Sequence, residues 1–208
     1  MKTKKAKRCK IGGTRKNYHI KLKKIYPKCS YDISNNHDKY ENANITYGEM
    51  NYEGMDKLKH YFKKNKKTYN NFIDIGSGRG KLCFYMINEP RIKTVIGVEI
   101  VKERHDDAIK IQENLQSKLA NRVILLNDNV CNIDLSKFFD RSVFVWWSNL
   151  CFEQQNTNII FQKLKNELPS QSIICCSKPI ATEIMNYSDK ISVPMSWCNE
   201  STVYIYYL

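Results

Sequence analysis

From residue 71 onward, short apolar runs alternate with longer segments of helical period. "NFIDI", "TVIGVEI", "RVILL", "SVFVWW" and "SIICC" read as strands. Residues 79–88, 102–119 and 153–168 read as helices, the first stopped before Pro90 and the last before Pro169. A further helix is expected over 49–65, with Met50, Leu58, Tyr61 and Phe62 on one face. Strands separated by helices imply a mostly parallel sheet covered on both faces, the α/β class. Two more strand-like runs, near 190–195 and at "TVYIYYL", follow each other directly and predict an antiparallel hairpin on one edge.

The first strand runs into "FIDIGSGRGK" (72–81). A phosphate loop needs four residues between its first Gly and its Gly-Lys pair, then a hydroxyl. Here three residues separate Gly76 from Gly80, and Leu82 stands in the hydroxyl's place. The dinucleotide pattern fails as well, because its third Gly would fall on Lys81. What remains is a turn in which Gly76, Gly78 and Gly80 allow close backbone approach to a ligand, with Ser77 between them and Asp74 just before.

In such sheets ligands lie beyond the carboxyl ends of the strands. The second strand ends in Glu99, which can accept from both hydroxyls of a ribose. The third ends in "LNDN", where Asp128 can accept from an adenine amine, with Asn129 beside it. The fourth ends in "SNLCF". These groups suit an adenosine without phosphates. Asp74 would oppose a pyrophosphate but suits a nearby ammonium or sulfonium. The expected cofactor is therefore S-adenosylmethionine.

The charge is localised. Of 34 Lys and Arg, twelve fall within residues 1–30, which hold no Asp or Glu. Residues 31–208 then carry 22 basic and 21 acidic residues. Residues 1–40 lack sustained apolar periodicity and read as a flexible basic arm and linker, ahead of a catalytic domain over 41–208. The stretch from Lys2 to Lys28 is expected to contact DNA phosphates. On this reading, a chain lacking residues 1–28 keeps its donor affinity and engages its nucleic-acid-bearing substrate more weakly. The eight cysteines form no C-x-x-C pair, so no metal site is expected, and no apolar run is long enough to cross a membrane.

Further motifs narrow the class. "YGE" (47–49), "DIGSGRG", "GVE" (97–99), "ND" (127–128), "SNLCF" (148–152), "SKP" (177–179) and "SW" (196–197) followed by Tyr204 run in order over about 160 residues. This set resembles the Dot-one (disruptor of telomeric silencing) family of seven-strand histone lysine methyltransferases. The resemblance implies a Rossmann-like class I methyltransferase sheet and a histone lysine in the nucleosome as acceptor. The chain is expected to be a monomer that acts in the nucleus or at viral or host chromatin, and otherwise in the cytoplasm. By the same resemblance Tyr47, Glu49, Lys81, Asn149 and Phe152 join the donor site. Ser148, Asn149, Trp197 and Tyr204 stand at the methyl and the lysine channel. The sequence departs from the family pattern at Ser148, at Leu150 and at Lys81, where Gln is frequent.

Such a reaction asks little of side chains beyond positioning, because the amine attacks the methyl carbon in line. Two other enzyme readings stay open: methylation of nucleic acid, and of a non-histone protein. Adenine-amine methylators place the flipped base against a Pro-containing aromatic motif, and "SNLCF" has no proline. A vestigial fold that only binds DNA would be expected to have lost Asp74, Glu99 or Asp128, and all are present.

Overall fold

The computed structural model describes residues 15–26, 31–32, 45–64 and 69–208. The sequence expectations for residues 1–14 fall outside the described residues.

A short ribbon pairs β1 (Tyr31–Asp32) with β2 (Tyr47–Gly48). The main sheet holds β3 (Asn71–Ile75), β4 (Thr94–Val98), β5 (Val123–Leu126), β6 (Val143–Trp147), β7 (Ile173–Cys176), β8 (Asp189–Val193) and β9 (Ser201–Tyr207). Their order is β5-β4-β3-β6-β7-β9-β8. The first five pair in parallel, and β9 runs antiparallel between β7 and β8. This is the seven-strand class I methyltransferase sheet. The direction of winding reverses between β3 and β6, which places the switch point directly above Ile75 and Trp147.

Alternation along each strand sorts the core into two halves. Phe72, Val95, Phe144, Ile173 and Ile205 face one side, and Ile73, Ile96, Val145, Ile174 and Tyr206 the other. The first side is covered by α1 (Arg15–Ile25), α2 (Tyr52–Lys64), α3 (Lys81–Met86) and the end of α4 (Lys102–Gln112). The second is covered by α6 (Gln154–Glu167) and the segment 130–139.

Three expectations change. The helix read over 49–65 starts at Tyr52, and Met55 rather than Tyr61 is among its buried residues. The helix read over 102–119 breaks after Gln112 and resumes as α5 (Ser117–Ala120). Leu115 is buried in the break, and the Gln112 amide donates to the carbonyls of Ala120 (3.0 Å) and Val123 (2.7 Å), which fastens the turn to β5.

The third change concerns the residues read as arm and linker. Arg15–Ile25 is helical and belongs to the core, because Tyr18, Leu22 and Tyr26, one turn apart, are fully buried against α3. Lysines separate these three residues and hide their period. Tyr18 donates its hydroxyl to the Phe84 carbonyl at 2.6 Å, and His19 stacks on Tyr85 at 4.7 Å. Removing residues 1–28 would therefore strip a layer from the domain, against the expectation of an expendable arm.

Candidate active site

The Gly-rich turn leaves β3 at the switch point. Gly76, Gly78 and Gly80 all take positive φ, at 76°, 55° and 75°. The amides of Gly76 and Ser77 both donate to the Val98 carbonyl at 2.9 Å, which ties the turn to β4. At Gly78 a Cβ would lie 2.4 Å from the Tyr47 ring, so neither the backbone nor the space admits a side chain. Gly80 begins α3.

Glu99 follows β4 and turns its carboxylate back to this loop. Oε2 accepts the Gly78 amide at 2.7 Å and Oε1 the Val101 amide at 2.9 Å. Burial pushes its carboxyl pKa up, opposed by the backbone N–H groups and by Arg104. Each oxygen keeps lone-pair capacity for a ribose hydroxyl. Asp74 lies deeper. Burial raises its pKa to about 7, while a hydrogen bond from the Cys83 thiol at 3.7 Å lowers it and Glu99 adds repulsion. Among the described residues no basic side chain forms an ion pair with it. A donor's ammonium would fit this buried carboxylate, because a cation offsets what burial costs the charge.

The opposite wall comes from two distant segments. Ser196 donates its amide to the Glu49 carbonyl at 2.8 Å, and its hydroxyl accepts the Glu49 amide at 3.0 Å. Met50 and Met195 form an isolated bridge beside them. "YGE" and "SW" thus run edge to edge, and Trp197 packs so closely on Gly48 that a Cβ there would lie 2.4 Å from its ring. From this wall Tyr47 donates to Glu49 Oε1 at 2.5 Å, and Lys81 pairs with Oε2 at 3.0 Å. Burial, reinforced by the Glu49 carboxylate, holds the Tyr47 hydroxyl far above its ordinary pKa, so it stays a neutral donor.

Two adjoining cavities result. One, of about 40 Å³, is lined by Glu49, Asp74, Ser77 and Lys81. The other, of about 240 Å³, is lined by Glu99, Ile100, Arg104, Leu150 and Phe152. Tyr47, Gly48, Gly76, Ser148 and Trp197 border both. The end that holds Asp74 and the Glu49–Lys81 pair thus meets a wider end bordered by Glu99.

The family profile described as "Histone methylation protein DOT1" matches residues 26–189. The chain belongs to the DOT1 family. It is a methyltransferase of that class, and its donor is S-adenosylmethionine. No curated protein matches this DOT1 chain. Among solved structures it is similar to an RNA methyltransferase from Salinibacter ruber in complex with S-adenosyl-L-homocysteine. That match has a TM-score of 0.56 at 14% identity, covering 76% of this chain and 91% of the other. It is also similar to the methyltransferase domain of bacterial CtHen1-CN, with a TM-score of 0.55 at 12% identity, covering 75% and 98%. At such identities the likeness concerns the fold.

The DOT1 motifs do not all converge. Tyr47, Glu49, Asp74, Gly76, Ser77, Lys81, Glu99, Ser148, Phe152 and Trp197 border the cavities, and Gly78 bonds Glu99. Asn149 does not line them. Fully buried, it donates Nδ2 to the Lys178 carbonyl at 3.0 Å and accepts the Lys178 amide at 2.7 Å, clamping "SNLCF" to "SKP". Asp128 is exposed and accepts from the Asn129 amide (2.7 Å) and the Asn132 side chain (3.0 Å). Asn129 caps the next turn through Cys131. Asp128 borders a separate depression and Asn129 precedes the turn 130–132, and neither lines the main cavities. Tyr204 packs with the second half of the core, edge-on to Tyr187 at 5.3 Å, and Trp197 packs with the first.

Sequence reasoning passed over Tyr52 and Arg104. The Lys81 ammonium lies 4.9 Å from the Tyr52 ring centre, and the Arg104 guanidinium 4.6 Å from that of Tyr47. Arg104 also donates to the Ile45 carbonyl, holding the "YGE" approach over the loop. No local pattern marks either residue, since each acts through a partner distant in sequence.

Proposed function

We propose that this protein methylates a lysine of a histone in the nucleosome core, with S-adenosylmethionine as donor. The observation that carries the reading is the seating of "YGE" against "SW" across from the Gly-rich loop, which joins Trp197 and Ser148 to the donor cavities. When bound, the donor supplies the methyl group. Glu99 accepts from its ribose and Asp74 balances its ammonium. Trp197 supplies an apolar wall that favours the neutral amine of an incoming lysine. Tyr204 acts through packing, and Asn149 through the position of the loop it clamps to Lys178. The basic N-terminal stretch holds nucleosomal DNA, whose phosphates position the enzyme without reading sequence. The site of action is then the nucleus or other chromatin. No helix among the described residues is long and apolar enough to cross a membrane.

The test is transfer of labelled methyl groups to nucleosomes, free histones, bare DNA and RNA in parallel. The expected result is label on a histone in nucleosomes, lost in Glu99→Ala and Trp197→Ala. Label on nucleic acid alone would overturn the histone reading in favour of a nucleic-acid methyltransferase. Donor binding without label on any of the four would direct the search to a non-histone protein.

A further inference from the structure

Helix α1 precedes the span that the DOT1 profile matches. It is nevertheless joined to the donor loop. The Tyr26 hydroxyl, one residue past the helix, donates to the carbonyl of Arg79, which lies between Gly78 and Gly80, at 2.5 Å. Tyr52 in turn donates to the Tyr26 carbonyl at 3.3 Å. The Tyr52 ring has the Lys23 ammonium 5.1 Å from its centre on the α1 side, and the Lys81 ammonium from the donor cavity at 4.9 Å. The seam between α1 and the domain therefore ends on the turn that must cradle the donor.

The helix itself is poorly balanced. Its sequence RKNYHIKLKKI carries five basic residues and no acid, and its first turn has no carboxylate to complement the dipole. Lys21 and Lys24 are one turn apart, a like-charge spacing that destabilises a helix. Eleven residues are marginal as an isolated helix. Docking of Tyr18, Leu22 and Tyr26 has to supply the stability, and any anion that neutralises the lysines adds to it. Lys23 and Lys24 are exposed for that purpose.

We propose that α1 is a coupling element: a nucleic-acid phosphate backbone bound on its basic side tightens the docked helix, and Tyr26 passes that order to the Gly-rich loop, so backbone and donor bind with positive cooperativity. This rests on the reading of the N-terminal segment as a DNA-contacting one. Linkage makes the effect reciprocal, so the donor must tighten the nucleic acid by the same factor.

The test uses the full chain at about 50 mM salt. S-adenosylmethionine affinity is measured by calorimetry alone, with a duplex DNA of about 20 base pairs, and with an RNA of equal length. Labelled duplex and RNA are followed by anisotropy with and without donor. At least about fivefold tightening in both directions is expected with one or both nucleic acids, and the arm that shows it identifies the source of the phosphates. In Tyr26→Phe, which keeps the buried ring, nucleic-acid binding is expected to persist and the coupling to vanish. In Lys24→Gln the donor affinity alone is expected to hold while the salt slope of nucleic-acid binding falls by about 0.9. Binding of nucleic acid with unchanged donor affinity overturns the coupling and leaves the DNA contact standing. Absence of nucleic-acid binding overturns both. Full coupling in Tyr26→Phe overturns the route through that hydroxyl.

Discussion

Lys81 and Glu49 form an ion pair of 3.0 Å inside the donor cavity, with 3% and 5% of their side chains exposed. They come from the start of α3 and the end of the "YGE" segment, so the pair closes the Gly-rich loop against the opposite wall. Removing one partner of a buried pair costs about 3–5 kcal/mol, because the other charge stays behind. Lys81→Met is expected to lower the unfolding free energy by about 3 kcal/mol in urea titrations. Lys81→Gln, whose amide still donates, should lose less. A loss under about 1 kcal/mol for Lys81→Met would mean that the pair is effectively solvated.

Donor binding is expected to depend on pH through Asp74. Its folded pKa, raised to about 7 by burial, lies well above that of an ordinary carboxylate. The donor-free folded protein therefore holds this proton more tightly than the unfolded chain. The contribution to stability is full below the unfolded value and is lost as pH rises towards 7. Donor binding has the opposite trend, since an ammonium selects the carboxylate. Affinity for S-adenosylmethionine is expected to fall roughly fivefold from pH 7 to pH 6, and Asp74→Asn to bind weakly with a flat profile. A flat wild-type profile over that interval would exclude Asp74 as the ammonium's partner.

The three loop glycines are not equivalent. Gly76 has φ 76° and nothing within 4 Å of a Cβ, whereas Gly78 would put its Cβ 2.4 Å from the Tyr47 ring. Gly76→Ala should cost only backbone strain, about 1–2 kcal/mol. Gly78→Ala adds a clash that displaces Tyr47, and a loss of about 3 kcal/mol with markedly weaker donor binding is expected. Equal thermal and calorimetric losses in the two variants would show that Tyr47 yields freely.

Asn149 is expected to act on catalysis through loop position. Alanine there leaves the Lys178 amide without its partner and the Lys178 carbonyl with only the Cys176 thiol, at a cost of about 2 kcal/mol. Turnover should fall with little change in donor affinity, since Asn149 does not border the cavities. A selective loss of donor affinity in Asn149→Ala would instead place its amide at the donor.

Much of this was readable along the chain. Strand periods, the Gly-rich turn and the acid after β4 are local signals, because φ > 0 needs glycine and a strand end delivers its carboxylate to the ligand side. At Asp128 and Asn129 the strand-end acid and amide also hold their own turn. Local periodicity missed α1, whose three apolar contacts are diluted by lysines.

The sequence by itself determined the class of sheet, the position of the donor loop and the concentration of positive charge near the N-terminus, since each depends on neighbouring residues. Only the tertiary structure decided that Trp197 closes on Gly48, that Tyr204 packs with the other half of the core, that Lys81 finds Glu49, and that Tyr26 reaches the Arg79 carbonyl. Those contacts join segments separated by up to about 150 residues, and no local propensity encodes them. They exist because the sheet reverses its winding between β3 and β6 and brings remote loops to one edge.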